Sequence, residues 1–152
     1  MGTALFYHLT RKPVEQTLPM LLEKSLAAGM RVVVRGTDEA RLDWLDEKLW
    51  VLSDDSFLPH GRAGGAHDPD QPILLTTGAE VPNAATCLMS VDNAEVTPED
   101  ARQMERVCVL FDGHDEQALS RARSQWAALK EARIKAQYWS EESGRWEKKA
   151  ET

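Results

Sequence analysis

The sequence predicts an α/β fold, a Rossmann-like three-layer domain whose mostly parallel sheet of about five strands carries helices on both faces. Three observations predict it. Short apolar or β-branched runs recur at 4–9, 31–35, 72–77, 86–91 and 106–111, each too brief for a helix and bounded by glycine, proline or polar residues. Amphipathic stretches at helical spacing lie between several of these runs. Strands therefore alternate with helices rather than with tight hairpins, which is the pattern of a parallel sheet covered on both sides.

Ala4-Leu5-Phe6-Tyr7-His8-Leu9 reads as the first strand, ended by Thr10-Arg11-Lys12-Pro13. Val14, Leu18, Leu21, Leu22 and Leu26 then recur at helical spacing up to Gly29, a C-terminal stop. Pro19 falls inside that span, so either the regular helix begins close to it or an earlier turn is kinked. Arg31-Val32-Val33-Val34-Arg35 is a strand buried on both faces. Thr37, followed by Asp38 and Glu39, is the expected N-cap of the second helix, where acids suit the positive helix end. In that helix Leu42, Leu45 and Leu49 share one narrow arc, the core face. Trp44 points nearly the opposite way and Trp50 sits on the flank.

Beyond the second helix, Phe57 lies among Ser, Asp, Pro, His and Gly with no periodic pattern to bury it. Either it plugs the sheet edge or it faces a partner, for which a large aromatic is suited. Residues 61–72 are rich in glycine and proline and read as a loop. Strands at 72–77 and 86–91 follow, joined by a connector too short for a long helix. Thr97-Pro98-Glu99-Asp100 signals a short helix with proline at its first position, and 106–111 is the fifth strand. His114-Asp115-Glu116 opens the last helix, with Ala118, Leu119, Ala122, Trp126 and Leu129 on one face. Residues 1–135 are expected to form a single α/β domain. Residues 136–152 are expected to form a C-terminal hairpin or arm packed on it, with a frayed end.

Bulk properties narrow the function. The 152 residues are 42% hydrophobic and 28% charged, ordinary for one globular domain. The net charge of −7 argues against strong direct binding of nucleic acid, which rests on Lys and Arg neutralising phosphates. Cys87 and Cys108 each sit in an apolar strand and read as reduced core thiols. No apolar stretch is long enough for a membrane span and no signal-peptide pattern opens the chain, so a cytoplasmic location is expected.

The fold invites a nucleotide, but the turn after the first strand, Leu9-Thr10-Arg11-Lys12-Pro13, contains no glycine. Neither G-x-G-x-x-G nor G-x-x-x-x-G-K-[ST] occurs, and a pyrophosphate needs such a turn for close backbone approach. No cofactor is expected. His8, His60, His67 and His114 lack metal-ligand spacing, and His60 and His67 read as solvated loop residues. Asp43, Asp46 and Glu47 read as a charged helix face pairing with Lys48 or Arg41. No nucleophile constellation is present, so no catalytic site is expected.

The last helix offers a binding surface instead. Arg123, Trp126 and Lys130 fall at i, i+3 and i+7 in one stripe at the edge of the core face. Cations beside a half-buried aromatic suit a peptide carrying acids and a terminal apolar residue. The same pattern also fits a core tryptophan with charges snorkelling around it.

Leu45-Asp46-Glu47-Lys48-Leu49-Trp50, Ser56-Phe57-Leu58-Pro59-His60, the opening Phe6-Tyr7-His8-Leu9, the strand entry Ala27-Ala28-Gly29-Met30-Arg31-Val32 and the tail Tyr138-Trp139…Gly144-Arg145-Trp146-Glu147-Lys148-Lys149 together resemble the chi subunit family of bacterial DNA polymerase III holoenzyme. The resemblance implies an α/β fold and a non-catalytic adaptor. It implies binding of the acidic C-terminal tail of single-stranded-DNA-binding protein, which ends in proline-phenylalanine, by the last helix through Arg123 and Trp126. Lys130 and Arg121 join that set; Leu119 stands where the family has a lysine, and Arg121 is the nearest cation. It further implies a second surface, Phe57 with Trp50 and His60, for the psi subunit of the clamp loader or a helicase competing for its place. The alternative is a small α/β nucleotide-binding domain or enzyme that lacks a glycine-rich loop.

Overall fold

The computed structural model of the chain describes residues 2–52 and 58–152, Leu52 by its backbone alone. Its elements run β1 (Thr3–Leu9), α1 (Val14–Ala27), β2 (Val32–Arg35), α2 (Glu39–Leu52), β3 (His60–Arg62), a 3-10 turn at Asp68–Asp70, β4 (Ile73–Thr76) and β5 (Cys87–Ser90). They continue with α3 (Pro98–Gln103), β6 (Arg106–Asp112), α4 (Glu116–Glu131), β7 (Ala136–Ser140) and β8 (Glu147–Glu151). The strands form one sheet in the order β3-β4-β2-β5-β6-β1-β7-β8. Every neighbouring pair is parallel except β7 and β8.

The expectation of about five strands in a Rossmann-like sheet is thereby corrected to an eight-stranded sheet in a general α/β three-layer architecture. The five apolar runs all form strands and occupy the centre. Of the additional strands, β3 and β8 are the two edges, where burial no longer writes a hydrophobic signature, and β7, in the stretch expected as a hairpin or arm, lies between β1 and β8. β3 is His-Gly-Arg and β8 is Glu-Lys-Lys-Ala-Glu, a charged edge of the kind that discourages further pairing.

Two cores sandwich the sheet. On one face Leu18, Leu21 and Leu22 of α1 and Leu42, Leu45 and Leu49 of α2 pack on Val32, Val34, Ile73, Leu75 and Met89. On the other, Ala101 of α3 and Ala118, Ala122 and Leu129 of α4 pack on Phe6, Val33, Val107 and Val109. All four residues of β2, β4 and β5 are buried, as parallel strands covered on both sides require. Pro19 is the sixth residue of α1 and the helix runs through it without interruption.

Two local expectations give way to tertiary contacts. Asp38, not Thr37, caps α2, its carboxylate accepting from the Ala40 N–H at 3.3 Å; the Thr37 hydroxyl instead donates to the Asp92 carbonyl. Glu39, Asp43 and Asp46 of α2 find partners from other elements rather than within the helix. Asp43 takes Arg62 at 3.0 Å, Glu39 takes the same guanidinium, and Arg41 goes to Asp92 at 3.0 Å. Thr97 and Asp100 form a reciprocal capping box on α3, and Asp100 also receives buried Arg35 at 3.0 Å.

Candidate functional site: a groove between the last helix and the C-terminal hairpin

Asp115 caps α4, its side chain accepting from the Gln117 N–H at 2.9 Å. Ala118, Ala122 and Leu129 are buried against the sheet. Alanine adds no bulk, so the helix lies close to β6 and β1 and its larger neighbours, Leu119, Arg123 and Trp126, are left at the margin of the core. Trp126 is half-buried there, edge-on to Phe6 at 5.3 Å and to Tyr138 at 6.2 Å between ring centroids.

Tyr138 comes from β7, where strand alternation turns Ala136 and Tyr138 toward α4 and Trp139 toward the opposite face. Between α4 and the β7–β8 hairpin runs a groove of about 310 Å3, lined by Phe111, Leu119, Ala122, Trp126, Tyr138 and Ala150, with Arg123 as the one charged side chain among the described residues of the lining. The floor is ordered from below. The Tyr138 hydroxyl and His8 Nδ1 share a hydrogen bond of 2.9 Å, and the His8 ring stacks on Phe111 at 5.3 Å and 7°. A Cβ at Gly113 would run into the His8 ring, so the β6–α4 turn needs glycine to close over it. Burial raises the Tyr138 pKa, Glu142 adds to the rise and Arg123 opposes it. The hydroxyl is accordingly a neutral hydrogen-bonding group at physiological pH. Such a groove can take a large apolar side chain, while Arg123, with no carboxylate partner among the described residues, can hold an anion at its rim.

Of the four residues expected on this face, Arg123 and Trp126 meet in the groove. Lys130 is exposed further along α4 and does not line it. Arg121 faces the opposite flank of α4, in a shallow pocket with Asn93, Ala94 and Gln125. Tyr138, His8 and Phe111 were not expected there. The alternation of Ala136 and Tyr138 carried the signal for Tyr138; the contribution of His8 needs the β1–β7 pairing, which periodicity does not report.

The second expected surface divides. Phe57 lies outside the described residues. Trp50 lies in the last turn of α2, 51% exposed, beside Val51 at 59%, which makes this turn the most apolar exposed stretch described. Its ring lies 4.1 Å from that of His60. His60 is not a solvated loop residue: it opens β3 and is buried. Its Nδ1 lies 2.6 Å from the Leu58 carbonyl, and its Nε2 lies 3.1 and 3.2 Å from the carbonyl and carboxylate of Asp46. His60 thus supports Trp50 from beneath. Trp44 is half-buried at the core margin rather than opposite it, with the guanidinium of Arg41 at 4.2 Å and the ammonium of Lys48 at 5.6 Å from its ring.

Cys87 and Cys108 are free and buried; their shared hydrogen bond and burial push the Cys108 thiol up. Among the described residues no group of three or more His, Cys, Asp and Glu is arranged to hold a metal ion. No described helix is long and apolar enough to cross a membrane.

Comparison with known proteins agrees with this architecture. In fold, the chain is similar to the C-terminal domain of the DEAD-box protein Dbp5, with a TM-score of 0.56 at 12% identity over 91% of this chain and 90% of that one. In sequence, it is 24% identical over 111 residues to the "Probable DNA polymerase III subunit chi" of Rickettsia prowazekii, covering 70% of this chain and 67% of that protein. It is 32% identical over 71 residues to the DNA polymerase III subunit chi of Pseudomonas aeruginosa, covering 47% of this chain and 49% of the relative. The family described as DNA polymerase III chi subunit, HolC, matches residues 1–137, a span that holds α4 and the Trp50 turn and ends just before Tyr138, so the hairpin wall of the groove lies outside it. The chain belongs to the DNA polymerase III chi subunit family.

Proposed function

We propose that this chain is a non-catalytic adaptor of DNA polymerase III holoenzyme acting in the cytoplasm. Its α4 groove binds the acidic C-terminal tail of single-stranded-DNA-binding protein and links it to the clamp loader during replication. The observation that carries the reading is the groove itself: an aromatic cleft with one guanidinium at its rim that has no carboxylate partner among the described residues. A terminal phenylalanine ring fills area between Trp126 and Tyr138 while its carboxylate, or an acid before it, takes Arg123 through a charge-assisted bond. Lys130 and Arg121, off the groove, contribute long-range attraction to an acidic tail rather than contact. The Trp50 turn, with Phe57 beyond it, is the docking surface for psi or for a helicase that takes its place.

Calorimetry with a peptide copying the tail tests this reading. Arg123→Ala is expected to weaken binding by about 1–3 kcal/mol, with a loss that shrinks at high salt. Removing the peptide's last residue is expected to do at least as much. Trp50→Ala serves as the contrast, leaving peptide affinity intact while psi no longer co-purifies. A peptide that binds Arg123→Ala as it binds the parent would place the tail elsewhere.

A further inference from the structure

The turn from β1 to α1 contains a built oxyanion site. The backbone N–H groups of Thr10, Arg11 and Lys12 converge on a single oxygen, Oε1 of Glu141, at 3.3, 3.0 and 3.1 Å. Glu141 follows β7 directly and is 5% exposed, so this is a carboxylate withdrawn from solvent and held by backbone donors. The clamp is reciprocal. The Arg11 guanidinium donates through Nε to the carbonyls of Glu141 and Glu142 at 3.1 and 3.2 Å, and through Nη2 to the latter at 2.9 Å.

The location gives the arrangement its meaning. In an open parallel sheet, ligands sit outside the carboxyl ends of neighbouring strands whose chains depart to opposite faces, and a phosphate is taken by the N–H groups of the turn leading into a helix. β1 and β6 are such a pair: β1 leads to α1 on one face, β6 to α4 on the other. A cavity of about 520 Å3 opens beside the turn. Its N–H groups are spoken for, and the cavity wall carries the carboxylates of Glu15, Asp92, Asp112 and Asp115, which oppose a polyphosphate. Of the cations there, Arg11 is engaged by the hairpin and Arg41 by Asp92, which leaves Lys12 against four carboxylates.

We propose that the β1–α1 turn is an anion-binding nest whose resident ligand is the chain's own Glu141 carboxylate, standing where a nucleotide-binding α/β domain takes a phosphate. The carboxylate closes that position and latches the C-terminal hairpin to the turn. The turn then has no need of glycine: a side-chain carboxylate reaches the N–H groups from the hairpin without the close backbone approach that a diphosphate requires.

Chemical rescue of the full chain tests this. Glu141→Ala is expected to lower the melting temperature, and acetate or inorganic phosphate, compared with chloride at equal ionic strength, to restore part of the loss. The parent and a Glu142→Ala control are expected not to respond. The amide resonances of Thr10, Arg11 and Lys12 should shift on adding phosphate to Glu141→Ala and stay put in the parent. If Glu141→Ala does not fold, Glu141→Gln, which keeps the shape and one acceptor oxygen but not the charge, reads the same site: exchange of those three amides with solvent is expected to be several-fold faster than in the parent. Equal anion responses in parent and variant, parent-like amide exchange in Glu141→Gln, or shifts of these amides in the parent on adding ADP would each overturn the proposal.

Discussion

At the scale of single residues, the groove is decided by which side chains alanine lets through. Ala118 and Ala122 bring α4 onto the sheet, and Trp126 then meets Tyr138 across the margin. The two rings have separable duties from the Tyr138 hydroxyl, which holds His8 rather than the groove. Tyr138→Phe is therefore expected to cost about 1–2 kcal/mol of stability, by leaving His8 Nδ1 without that partner, while tail-peptide affinity stays near the parent's. Urea denaturation and calorimetry on the same preparation check both halves; a large affinity loss with unchanged stability would mean that the hydroxyl touches the peptide. Residue by residue, the sequence made Arg123 and Trp126 legible because helical spacing fixes i and i+3 on one face. It could not separate Lys130 from them, since the hairpin that bounds the groove joins through a pairing far away in sequence; Arg121, two residues from Arg123 and so on the other side of the helix, entered only through the family resemblance.

At the scale of elements, the hairpin of β7 and β8 is the part whose importance its composition conceals. β7 pairs in parallel with β1 from Ala4 to His8, Glu141 latches the following turn, and Tyr138 and Ala150 wall the groove. We propose that residues 136–152 complete the domain rather than decorate it. A chain ending at Lys135 is expected to lose more stability than a single buried leucine truncation, which costs about 2–5 kcal/mol, because it bares the β1 edge as well as uncovering Phe6 and Trp126. Circular dichroism melts of the truncated and full chains decide this; an unshifted, equally cooperative melt of the short form would make the hairpin an appendage. β3 teaches the same lesson at the other edge. His-Gly-Arg has no strand signature, yet pairs with β4 because Arg62 is held by Asp43 and Glu39 of α2 and His60 is buried beneath Trp50.

At the scale of the whole molecule, the two tyrosines of the chain report on both cores at once. Burial raises the pKa of Tyr7 on one face, with Cys108 adding, and of Tyr138 on the other. Both neutral phenols are favoured in the folded state, so this contribution to stability is fully present below the unfolded value of about 10 and is lost as pH rises through it toward the folded values. Alkaline titration followed by tyrosinate absorbance is expected to show neither residue ionising at its ordinary pH, and unfolding to release both; a tyrosinate signal near pH 10 with the fold intact would contradict it. The sequence by itself determined the α/β class, the five central strands, the leucine faces of α1 and α2 and the stripe of Arg123 and Trp126. Each of these follows from periodicity, which is a local property written wherever a segment is buried on a known face. Only the tertiary structure decided β3, the joining of the C-terminal hairpin to the sheet beside β1, the partners of Asp43 and Glu39, the burial of His60 and the capture of the Glu141 carboxylate by the β1–α1 turn. Those depend on contacts between residues up to 131 positions apart, and a charged or polar side chain gives no local sign of the distant donor that satisfies it.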